Sequence, residues 1–79
     1  MSDFNETIRD LNARGEEVYA LREASINAGA DDDAAFTAWD RASDELGEAI
    51  RQAHREHGTD RVRRTLSDHA RDAVSPIVW

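Results

Sequence analysis

The sequence of 79 residues contains no cysteine. Disulfides, thiolate metal sites and thiol catalysis are therefore excluded. It contains no lysine either: all ten basic residues are arginine, which keeps its charge and forks onto carboxylates. A GC-rich coding sequence and a salt-adapted proteome both produce this bias. No apolar run approaches the roughly 18 residues of a membrane span. Residues Met1 to Glu6 are acidic and lack the basic start and apolar stretch of a signal peptide, so the expectation is a cytoplasmic protein. Strand-like alternation, internal repeats and low-complexity segments are missing too. The length allows one domain, spanning 1–79. A core of this size rarely supplies more than about 3–5 kcal/mol, and with no disulfide available, self-association or partner binding is the remaining support.

What is present is acid and helical rhythm. The net charge of −7 is uneven: residues 1–57 carry 14 acids against 6 arginines, and residues 58–79 carry 3 acids against 4 arginines. An acidic body repels phosphates, so nucleic acid is not expected as a direct partner of the body. The most regular stretch is Phe36, Trp39, Ser43, Leu46, Ile50, Ala53 and His57, which step by three and four. That spacing is an amphipathic helix seam.

Three helices follow from the periodicity and the caps, giving an all-α fold. The first is expected over about 3–28, with Asp3 and Glu6 as a capping-box-like pair, Phe4, Ile8, Leu11, Gly15, Val18, Arg22 and Ile26 on one stripe, Tyr19 beside it, and Gly29 closing it. Gly15 in mid-helix costs about 1 kcal/mol against alanine. Its place on the stripe predicts close approach of another backbone. The second helix is expected over about 34–57, closed by Gly58. Its apolar arc, widened by Ala35, Ala42 and Ala49, suits contact with two neighbours. The third is expected over about 60–74, on the stripe Val62, Leu66, His69 and Ala73, stopped by Ser75-Pro76 and followed by the apolar tail 75–79. The short link makes the first two helices antiparallel. This register puts Ile26 near Phe36, Arg22 near Trp39, Gly15 near Leu46 and Ile8 near Ala53. The expected fold is a long helical hairpin with a shorter third helix across its open end, a three-helix bundle. Arg22 is expected to lay its stem on the Trp39 indole with its head towards Asp40 or solvent.

No motif for catalysis, a cofactor or a metal rises above chance, and an enzyme is not expected. Asp31, Asp32 and Asp33 lack the spacing of a calcium loop and read as a helix cap with carboxylates suited to the helix dipole. His54 and His57 share a helix face, but zinc needs His69 or Asp60 as well. The blander reading makes His57 and His69 semi-buried seam residues and leaves His54 exposed. Glu-x-x-His is absent, so a carboxylate-bridged di-iron bundle is unsupported. Arg51 with His57, and Arg63 or Arg64 with His69, fit the loose spacing of some small helical ribonucleases at close to chance frequency. Arg61, Arg63 and Arg64 form the only basic cluster and would be the reading face of a DNA-binding helix-turn-helix. The plainer account is a solvated face with Asp60 paired to Arg64.

The leading functional expectation is a small acidic interaction module or oligomeric accessory protein. It would bind a protein partner through helical surfaces and the tail residues Ile77, Val78 and Trp79. An inhibitor that mimics nucleic-acid charge is the alternative, and the helix-turn-helix reading is the third. A homodimer is a further expectation. Asp40 and Asp44, then Arg51 and Arg55, form a self-complementary edge on helix 2 that two antiparallel copies would match, with Gly47 at the midpoint allowing close approach.

Overall fold

The computed structural model describes residues 3–29 and 31–73. They form four helices: α1 (Phe4–Ala28), α2 (Asp33–His57), α3 (Thr59–Thr65) and α4 (Asp68–Asp72), with no strand among the described residues. The two long helices start and stop within a residue or so of the expected places. Asp3 occupies the N-cap of α1 and its carbonyl accepts from the Thr7 amide at 2.9 Å. Its side chain makes no capping hydrogen bond, so the capping-box expectation fails there. Asp32 caps α2 by accepting from the Ala35 amide at 3.0 Å, and Asp33 lies in the first turn, where the helix dipole favours a carboxylate. Gly29 and Gly58 close α1 and α2 at φ of 88° and 91°, a region where a Cβ would be strained.

α1 and α2 pair as the expected hairpin. Leu11, Val18, Leu46, Ile50 and Ala53 are buried between and above them. Gly58 then turns the chain across the open end, so that α3 packs on α2 and α4 on α1. α2 thus has two neighbours, as its wide apolar arc requires. Val62, Leu66 and Ala70 complete the core.

The expected single third helix over 60–74 is instead two short ones. Leu66 and Ser67 between them are extended, with ψ of 147° and 159°. Two hydrogen bonds hold the break. The Ser67 hydroxyl accepts from the Ala70 amide at 3.3 Å, capping α4, and the Ser67 amide donates to the Asn12 side-chain oxygen of α1 at 2.9 Å. The stripe through Leu66 and His69 concealed a serine that competes with the helix for its own backbone. The break also shifts the helical phase, so that Ala70 is fully buried while His69 is half-buried. The tail expected over 75–79, with Val74 before it, lies outside the described residues.

Asn12 is the only α1 side chain in that cap, and its loss leaves a part-buried amide without an acceptor. Asn12→Ala is expected to cost about 1–3 kcal/mol in urea unfolding. Asn12→Asp keeps the acceptor and should recover most of it; equal losses for both would show that the hydrogen bond contributes nothing.

Ala70 is small because α4 meets α1 at Gly15. A Cβ built on Gly15 would stand 2.6 Å from the Ala70 Cα and 2.8 Å from its nitrogen. The backbone expected to approach Gly15 is therefore that of α4.

Candidate functional site

The three histidines occupy separate settings. His57 packs edge-on against Phe4, ring centroids 5.2 Å apart, and its Nε2 is buried with no hydrogen-bond partner among the described residues. The other face of the Phe4 story belongs to Arg61, whose guanidinium lies 3.8 Å from the ring centroid. His69 donates from Nδ1 to the Glu16 carboxylate at 2.7 Å and stacks on Tyr19, centroids 4.3 Å apart and planes 7° apart. His54, expected to be exposed, is half-buried. Burial lowers its pKa below the ordinary histidine value. Among the described residues no three His, Asp or Glu side chains converge as metal ligands.

The arginine–histidine spacings do not become pairs. Arg51 holds Glu48 at 2.7 Å, and Arg64 donates to the Asp60 carbonyl at 3.3 Å rather than to its carboxylate. That second contact corrects the expected Asp60–Arg64 ion pair: the side chain folds back on its own helix. In the basic cluster, Arg61, Arg63 and Arg64 are all exposed, but Arg61 is engaged by Phe4 and α3 has only seven residues. Seven residues make about 10 Å of helix, little to lay along a groove.

On α2 the charged edge is as accessible as expected. Asp40, Asp44, Arg51 and Arg55 are all exposed. Spaced by four, seven and four, they share one face of the helix. Gly47 is buried. Ile77, Val78 and Trp79, the other expected partner-binding residues, lie outside the described residues.

The surface that sequence reasoning missed is at the closed end of the hairpin. α4 reaches α1 at Gly15 and Tyr19, and the described chain ends at Ala73. Beyond that level α1 and α2 continue towards their link as a bare pair among the described residues. The stripes keep their apolar residues there all the same. Ile26 is 57% exposed, Phe36 55% and Tyr19 39%. The Gly29 carbonyl accepts from the Asp32 amide at 3.3 Å, so the helix ends are held together and Ile26 and Phe36 stand about one turn from the link on either side. Phe36 meets Trp39 edge-to-face, centroids 5.8 Å apart.

Where this bare pair meets α4 there is a pocket of about 340 Å³, walled by Val18, Tyr19, Arg22, Trp39, His69 and Asp72 among others. Arg22 and Trp39 therefore line one pocket; Arg22 is exposed, and the ring contact of half-buried Trp39 is with Phe36. The signal available in the sequence was the length of the stripes: both long helices carry apolar residues one or two turns further than a third helix of that size can cover. No family model, no curated protein and no solved structure matches this chain, so its reading rests on this geometry.

Proposed function

We propose that this chain is a non-enzymatic interaction module that binds a protein partner through the closed end of its helical hairpin. One observation carries the reading. Ile26 and Phe36 are more than half exposed, whereas Ile8 and Leu46 on the same two stripes are buried. Single exposed apolar residues are ordinary, but two at one level beside a half-buried tryptophan form a patch, and patches mark contact surfaces. Capture from the native cells with Ile26→Glu/Phe36→Glu beside the unaltered protein tests it. A partner should be retained by the unaltered chain at low and high salt and lost by the double variant, whose circular dichroism stays unchanged. Nucleic-acid mimicry would give the reverse pattern: capture abolished by salt and indifferent to the two substitutions.

The α2 edge favours a second reading, a two-fold antiparallel dimer, because Asp40, Asp44, Arg51 and Arg55 are exposed on one face. Arg51 already holds Glu48 within its own helix, which weakens that case. Sedimentation at tens of micromolar decides it: a single species of 8.9 kDa discards the dimer.

A further inference from the structure

We infer that the groove between α1 and α2 at the closed end takes a basic amphipathic helix of the partner, seated in the line that α4 begins. The inference rests on the interaction reading above and names the chemistry of its occupant. Its floor is Tyr19 and Ile26 from α1 with Trp39 and Phe36 from α2, and Arg22 is the one cation between them. At about 100° per residue, Tyr19 and Ile26 lie on the face of α1 that meets α4 at Gly15. Among the described residues the groove therefore continues a position that α4 fills. From Tyr19, whose ring His69 of α4 stacks on, to Ile26 it runs about 10 Å, just under two turns, with apolar anchors at i and i+3 or i+4.

The rims choose the charge. Along α2 the residues bordering Phe36 and Trp39 on the open side are Asp33, Asp40 and Asp44, all exposed, with Arg41 the one cation beside them before Arg51. On α1 the border beside Ile26 is Glu23. A helix whose apolar stripe is flanked by lysine or arginine meets carboxylates on both sides. An acidic helix is repelled by both, and a second copy of this chain laid groove to groove would oppose its own acidic rims. Charge complementarity thus selects a basic partner over self-association at this surface.

Titration calorimetry on the full chain tests it with three probes: a leucine–lysine peptide with helical apolar spacing, a scramble of the same composition, and the leucine–glutamate counterpart. The patterned basic peptide should bind at least about tenfold tighter than either control. Ile26→Glu/Phe36→Glu should weaken it by a similar factor, and Asp33→Asn/Asp40→Asn should weaken it and flatten its salt dependence. Equal binding of the scramble, or indifference to the floor substitutions, overturns the proposal. So does binding that emerges only when Ile77, Val78 and Trp79 are changed to serine, which would assign the groove to the chain's own C-terminus. If no peptide binds while the floor variant still loses its captured native partner, the basic-helix assignment fails and the interaction module stands.

Discussion

Gly15→Ala should destabilise the protein, although the same change in an isolated helix gains about 1 kcal/mol. The new Cβ would stand 2.6 Å from the Ala70 Cα, 2.7 Å from its Cβ and 2.8 Å from its nitrogen. Two of those three atoms are backbone, so no rotamer change relieves the clash; α4 has to move away from α1. Overpacking of this kind costs about 1–3 kcal/mol. Displacing α4 also strains the Ser67–Asn12 hydrogen bond and the Glu16–His69 contact. The expected net loss in urea unfolding is about 2 kcal/mol, near half of what a core this small supplies. Adding Ala70→Gly should recover only part of it, because the Cα and nitrogen contacts remain. A Gly15→Ala protein more stable than the parent would mean that α4 does not touch α1 here.

The second large effect is a contrast between two apolar residues of α2. Ile50 is fully buried between the hairpin and the segment crossing it. Ile50→Ala leaves a cavity and should cost about 2–5 kcal/mol, enough to leave much of the protein unfolded at room temperature. Phe36 is the larger side chain, yet it is 55% exposed and its ring contact is with Trp39. Phe36→Ala should cost less than about 1 kcal/mol. Thermal unfolding of the two variants side by side measures the difference. If Phe36→Ala proves as damaging as Ile50→Ala, the closed end is part of the folding core and not a surface kept for a partner.

The hairpin was legible in the sequence because its signals are local: a seam in steps of three and four, an aspartate cap, a glycine at each end. The wide arc of α2 and the close approach at Gly15 were legible for the same reason, since one helix's periodicity records how many faces it must bury. The third layer was misread at Leu66 and Ser67. Val62, Leu66, His69 and Ala73 keep perfect helical spacing, and no feature of that segment alone outweighs it. The break is held by the Ser67 hydroxyl, which caps α4, and by Asn12, which offers an acceptor to the Ser67 amide from a distant part of the chain. With the break the phase slips: Ala70 goes fully inward, while His69 is half-buried, as expected. The candidate surface was hidden for a related reason. Periodicity identifies Ile26 and Phe36 as apolar stripe residues, but only the short reach of α3 and α4 shows that nothing among the described helices covers them.

The Asn12–Ser67 bond joins residues 55 positions apart. Closing so long an interval in one step is entropically costly, but once α1 and α2 have zipped together the remaining loop is only the stretch from Gly58 to Ser67. Loop closure therefore favours an order in time, hairpin first and clasp second. At equilibrium the order disappears, because a hairpin without Val62, Leu66 and Ala70 leaves Leu11 and Ile50 facing water. If the clasp is inseparable from the core at equilibrium, the Ser67 amide should exchange its proton as slowly as that of Ile50; much faster exchange would show that α4 opens alone.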